Sequence, residues 1–249
     1  MTATDHKTVA RWHSGRTEMD MTLVRWGHFG KPVLVFPTAG GDAEEIERFL
    51  MIRVLEPLLD AGKIKLYSVD SVAARIWHDT TVSWRHKTWL QNQFDGYIYN
   101  EVVPAIRKDC DDPGAGVVVA GASIGAFNAM ASLCRHPDAF ERAICMSGSY
   151  DVERFVKGMD GKMDDHFYFS SPLHWLQRLK GGPQLEALRK RHVLMCHGGG
   201  RWEDPAQDWR MAKLLGAKGI PNRVDPWGEG YDHDWPTWRA MLPRYLAEL

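Results

Sequence analysis

Ser123 stands at the centre of Gly121-Ala122-Ser123-Ile124-Gly125, a G-x-S-x-G pentapeptide. That pattern alone arises by chance. Its setting carries more information: the β-branched run Val117-Val118-Val119-Ala120 precedes it, and the small-residue stretch Ala126 to Cys134 follows it. Strand, sharp turn and helix in that order are what a nucleophile elbow requires. The turn is so tight that side chains two positions before and after the serine would collide with neighbouring chain, so glycine at 121 and 125 removes the offending Cβ atoms. The serine Oγ then projects above the sheet, next to a helix N-terminus that favours developing negative charge. The chemistry implied is nucleophilic attack on a carbonyl.

A serine hydroxyl needs a base to take its proton. In strand–helix proteins with this elbow, the acid and the histidine follow the serine in that chain order. Of the 11 histidines, His233 in Gly230-Tyr231-Asp232-His233-Asp234-Trp235-Pro236 has the right place, after the last strand candidate and before the final helix. The acid is expected after the strand Val193–Cys196, in the loop 197–205, which offers Asp204 and Glu203. Asp204 is favoured, although with Pro205 behind it the same residue suits a helix N-cap. Glu203 is the rival. The oxyanion formed on attack needs two backbone N–H donors. One is expected from Ile124 and the other from Ala39 or Gly40, in the loop Pro37-Thr38-Ala39-Gly40-Gly41-Asp42. Trp77, His78 and Trp84 follow the strand that ends near Asp70 and are candidates for lining a substrate pocket.

These residues must be positioned by the elements between them. Thr8–His13 and Met19–Trp26 can form an antiparallel pair. Strands are expected at 32–36, 64–69, 117–120, 143–146, 193–196 and 222–225. Helices are expected at 43–61, 97–108 (with Pro104 as a kink), 126–134, 208–217 and 235–249. Alternating strands and helices imply a mainly parallel sheet covered on both faces, with ligands at the carboxyl ends of the strands. Residues 151–182, rich in Asp, Gly, Met and aromatics, break the alternation and are expected to form a flap or small cap, or else plain packing. The whole chain, 1–249, is read as one domain.

With 44% hydrophobic and 25% charged residues in 249, the composition is that of an ordinary globular protein. The 31 basic and 32 acidic residues leave a net charge of −1 without a basic block, so neither nucleic acid nor an anionic membrane is an expected partner. The four cysteines form no C-x-x-C pair and no zinc-ligand spacing, and are read as reduced thiols. The first 20 residues lack a secretory apolar core, and no apolar stretch is long enough to span a bilayer. A cytoplasmic location is expected; oligomeric state is left open.

The chain resembles the esterase branch of the α/β-hydrolases, which includes feruloyl esterases, S-formylglutathione hydrolase (esterase D) and the antigen 85 mycolyltransferases. The matching stretches are VLVFPTAGGD (33–42), YSVDS (67–71), NEVVPAI (100–106), GASIGAFNAM (121–130), RHPDAFERAICMSGSYD (135–151), FSSPLHWL (169–176) and WGEGYDHDWPTW (227–238). The resemblance implies an α/β-hydrolase fold, a Ser–acid–His triad on Ser123 and His233, and no metal or organic cofactor. It does not align the GRWEDP acid loop cleanly, and Pro37-Thr38 replaces the His-Gly frequent in related oxyanion loops. The expected function is hydrolysis of a small-molecule carboxylic ester through an acyl-enzyme. An acyltransferase or thioesterase on the same triad is the alternative, and a non-catalytic binding protein on a hydrolase scaffold is the alternative from another class.

Overall fold

Along each central strand, successive side chains enter different cores, as the two-residue period of a pleated strand demands. Val33 and Val35 join one buried cluster, Leu34 and Phe36 the other; Val118 and Ala120 oppose Val117 and Val119 in the same way. A strand buried on both faces needs apolar residues at every position, which is why these segments read as continuous apolar runs.

The computed structural model describes residues 6–77, 79–153, 156, 159 and 162–249. In chain order the elements are β1 (Thr8–Ser14), β2 (Met19–Trp26), β3 (Lys31–Phe36), α1 (Glu45–Arg48), α2 (Met51–Asp60), β4 (Ile64–Val69) and α3 (Val72–Ile76). Then come α4 (Trp84–Tyr97), a π-turn (Ile98–Val102), α5 (Val103–Asp109), β5 (Val117–Ala122), α6 (Ile124–Arg135), β6 (Phe140–Met146), α7 (Asp165–Ser170), α8 (Pro172–Arg178) and α9 (Pro183–Leu188). The chain closes with β7 (His192–His197), α10 (Pro205–Ala217), β8 (Asn222–Pro226) and α11 (Trp235–Leu246). The eight strands form one sheet in the order β1-β2-β4-β3-β5-β6-β7-β8. The β1–β2 and β2–β4 pairs are antiparallel; every pair from β4 to β8 is parallel. Helices α1, α2 and α11 cover one face, and α3 to α10 the other. This is the α/β-hydrolase architecture that the sequence implied. Among the described residues no helix is long and apolar enough to cross a membrane, and all four cysteines are free.

Two expectations are corrected. The helix expected at 43–61 is broken at Leu50, whose backbone is left-handed (φ +63). The break is held by α11: Phe49 stacks on Trp235 at 4.7 Å, and Arg239 Nη1 donates to the Phe49 carbonyl at 2.9 Å. The helix expected at 97–108 begins thirteen residues earlier, because more than half of the residues buried along that earlier stretch are polar. Lys87, Thr88, Gln91 and Asp95 are all buried, so apolar periodicity does not reveal it. Pro104 is accommodated by the wider π-turn just before it, which relieves the clash of its ring with the preceding turn. The described residues of the segment 151–182, expected as a flap, small cap or plain packing, include two short helices, α7 and α8, packed on α4, α6 and α10.

Candidate active site

The elbow is built as its glycines require. Ser123 adopts φ +57, ψ −120, a conformation an L-residue enters only under constraint. Its N–H donates to the Met146 carbonyl at 3.0 Å, continuing the β5–β6 ladder one residue beyond the strand. A Cβ on Gly125 would lie 2.5 Å from the Phe36 carbonyl oxygen and 2.8 Å from that of Pro37; one on Gly121 would strike the Gly125 carbonyl and lie 2.9 Å from the Ala126 nitrogen. The elbow therefore sits directly against the end of β3. Helix α6 behind it is buried from Ile124 to Cys134, its small residues allowing close contact with the sheet. Ser123 occupies the N-cap position, where a serine ordinarily accepts from its own helix. Here the side chain makes no capping bond, so Oγ is not consumed by the fold.

His233 lies just before α11, whose first turn is capped by Asp234. Its N–H donates to the Arg201 carbonyl at 3.0 Å, and its ring meets the Trp238 ring edge-on at 5.3 Å. The loop after β7 runs alongside. Arg201 donates to Asp232 through its backbone N–H (2.8 Å), Nε (2.9 Å) and Nη2 (2.7 Å), holding the Asp232 carboxyl below the usual range. A Cβ on Gly198 would collide with the Tyr231 carbonyl, so the two loops touch there as well. The base of the β7 loop is tied down by His197 Nδ1, 2.8 Å from Asp208 on α10, with both side chains buried.

The carboxylate that reaches His233 is that of Glu203, not the expected Asp204. Glu203 Oε2 lies 3.6 Å from His233 Nδ1, and its side chain is 1% exposed. Neither atom has a hydrogen-bond partner among the described residues, so each is left to the other. Asp204 sits at the N-cap position of α10 and is exposed; its Oδ2 accepts from Gln207 Nε2 at 3.1 Å. The loop turns at Trp202, whose backbone is left-handed (φ +62), just before the two carboxylates. The inward one is Glu203. Its Oε1 accepts from Ser147 Oγ at 2.6 Å and from the Gly198 N–H at 3.2 Å. Sequence reasoning passed over Ser147; its positive φ (+48) is visible only in three dimensions.

At the oxyanion positions, Ile124 opens α6 and has no carbonyl one turn back to bond. Residues 38–41 form a turn closed by the Gly41 N–H on the Thr38 carbonyl (3.0 Å). Neither Ala39 nor Gly40 donates to another backbone group among the described residues, and a Cβ on Gly40 would meet nothing within 4 Å. Thr38 is already committed: its N–H donates to Glu45 Oε2 at 2.7 Å and its hydroxyl to Oε1 at 2.6 Å. Glu45 is buried, and that burial pushes its carboxyl pKa up against the pull of the Thr38 donors. A carboxyl with a raised folded pKa binds more protons folded than unfolded between the two values, so stability falls as pH rises through that interval. Glu45→Gln cannot titrate. Its melting temperature is therefore expected to gain on the wild type as pH rises from about 4 to 7. A difference independent of pH, in paired melts across that range, would contradict this.

Of the residues considered for a substrate pocket, Trp77 is a core residue whose ring lies 6.5 Å from that of Phe127; its carbonyl accepts from buried Lys87. It borders a narrow cavity between α4, α6 and the 151–182 segment. Trp84 begins α4, partly buried, with Arg85 stacked on its ring at 5.0 Å. His78 lies outside the described residues.

A mainly parallel sheet carrying a serine elbow between β5 and α6, with the loops of Glu203 and His233 meeting after β7 and β8, defines an α/β-hydrolase. The chain belongs to the esterase family described as Putative esterase, whose model matches residues 80–249. No curated protein sequence matches it. Among solved structures it is similar to a ferulic acid esterase (15% identity, 96% of this chain and 95% of that one, TM-score 0.71). It is also similar to an S-formylglutathione hydrolase from Agrobacterium tumefaciens (13% identity, 97% and 93%, TM-score 0.73). A third is the fluorophosphonate-binding serine hydrolase F of Staphylococcus aureus (14% identity, 97% of each chain, TM-score 0.70). At such identities the likeness is one of fold; the family match makes the chain an esterase.

Proposed function

We propose that this esterase cleaves small-molecule carboxylic esters through a covalent acyl-enzyme on Ser123, with His233 as base and Glu203 as the acid. The observation that carries the reading is the Ser123 elbow: a strained serine, at the carboxyl end of a central parallel strand and the start of a helix, whose hydroxyl caps nothing. In the first step Oγ attacks the ester carbonyl as His233 Nε2 takes its proton. The carbon–oxygen bond to the alcohol breaks and His233 returns the proton to the leaving alkoxide. Water repeats the sequence on the acyl-enzyme and releases the acid. The Ile124 amide, with that of Ala39 or Gly40, stabilises the oxyanion in both steps. Glu203 holds the imidazole tautomer and balances the imidazolium. The 3.6 Å separation between Glu203 and His233 needs to close by about 0.5 Å to become a hydrogen bond, and contacts of this kind tighten when substrate binds.

Reaction with a fluorophosphonate probe tests the reading. One phosphonyl group per chain is expected, on Ser123 by peptide mapping, with loss of p-nitrophenyl acetate hydrolysis in step with labelling. Folded protein that stays unlabelled at Ser123 would exclude it.

A further inference from the structure

We infer that Ser147 and Trp238 are positioning residues, forming a hydrogen-bonded relay that orients the Glu203 carboxylate toward His233. The inference rests on the reading of Glu203 as the acid and adds the means by which it is aimed. Ser147 follows β6, beside the strand that carries Ser123. Its hydroxyl proton goes to Glu203 Oε1 (2.6 Å), while the oxygen accepts from Trp238 Nε1–H (3.0 Å). With the Gly198 N–H at 3.2 Å, Oε1 has two donors and Oε2 has none. A carboxylate so loaded on one oxygen cannot rotate without leaving buried donors unpaired, which is costly at a site shielded from water. Its free oxygen therefore stays turned to the imidazole. Ser147 and Trp238 are 3% and 4% exposed, so water cannot replace either partner. Trp238 also sets its ring against the His233 imidazole, so one side chain touches the base and steadies the acid.

The backbone supplies an independent argument. Ser147 is left-handed (φ +48), and its N–H donates to the Cys196 carbonyl at 2.7 Å, tying β6 to β7. Glycine takes this conformation without strain, whereas serine does not. What serine supplies at 147 and glycine would lack is the hydroxyl, and that hydroxyl points at Glu203.

A double-mutant cycle on the full chain tests this, with fluorophosphonate labelling rate at Ser123 and steady-state p-nitrophenyl acetate kinetics as readouts. Ser147→Ala is expected to lower kcat about tenfold with KM unchanged. The labelling rate should fall in parallel. Placed on Glu203→Gln, the same substitution should cost less than about twofold more, because residues acting through one another are not additive. An equal loss on both backgrounds, or no loss in the single variant, would overturn the inference. If Ser147→Ala does not fold, Trp238→Phe keeps an aromatic side chain, removes the donor, and is judged by the same outcomes. An unlabelled wild type would remove the proposed function and this inference together. A labelled wild type with an additive cycle removes only the inference.

Discussion

Glu203→Gln is expected to lower kcat for ester hydrolysis by about 10⁴-fold, the scale found when a triad acid is neutralised with its shape kept. Asp204→Asn is expected to stay within about twofold, the scale of an exposed substitution. The difference follows from the surroundings of two adjacent carboxylates. Glu203 is buried, faces His233 with one oxygen and accepts two donors on the other. Asp204 is exposed and, among the described residues, engaged only by Gln207, one turn along its own helix. A glutamine at 203 retains an acceptor but presents either an amide or an uncharged oxygen to the imidazole. It neither balances the imidazolium nor fixes the tautomer that leaves Nε2 free to act as base. Steady-state kinetics of the two variants with p-nitrophenyl acetate decide the matter. A large loss in Asp204→Asn with Glu203→Gln near wild type would return the acid role to Asp204.

Gly125→Ala is expected to destabilise the fold by about 3 kcal/mol or more, since the added Cβ has no rotamer with which to escape. It would lie 2.5 Å from the Phe36 carbonyl oxygen and 2.8 Å from that of Pro37, backbone atoms at the end of β3 and just after it. At about 2–4 °C per kcal/mol for a chain of this size, the melting temperature should drop by roughly 6–12 °C. Gly121→Ala faces the same obstruction from the other side of the turn, against Gly125 itself. Gly40→Ala is the control: among the described residues nothing lies within 4 Å of its Cβ, and its stability should stay within about 0.5 kcal/mol of wild type. Thermal melts of the three variants check the contrast. Equal stability in all three would mean that the elbow is not packed as tightly against β3 as described.

The elbow was legible because each of its requirements is local. Gly121 and Gly125 are needed within two residues of Ser123, the apolar run is continuous because β5 is buried on both sides, and α6 is small because it lies on the sheet. The central strands were legible for the same reason. The beginning of α4 was not: Lys87, Thr88, Gln91 and Asp95 are buried against partners distant in sequence. Thr88 donates to Asp164 and Gln91 to Asn128, while Asp95 lies 2.8 Å from His136. The face reads as solvent-exposed until those partners are known. The break at Leu50 likewise depends on Trp235 and Arg239, nearly two hundred residues away.

By itself the sequence located the elbow around Ser123, the loop of His233, the central strands and the loops from which the proposed chemistry comes. These follow from short-range sterics and from hydrophobic periodicity, which a linear chain records directly. Only the tertiary structure placed Glu203, rather than Asp204, beside His233, and only it brought Ser147 to that carboxylate. Which of two neighbouring carboxylates turns inward depends on the left-handed backbone at Trp202 and on donors from β6 and the β7 loop. Neither the sign of that dihedral nor the meeting of residues 56 positions apart is written in residue type or spacing. Both arise when the strands take their places in the sheet.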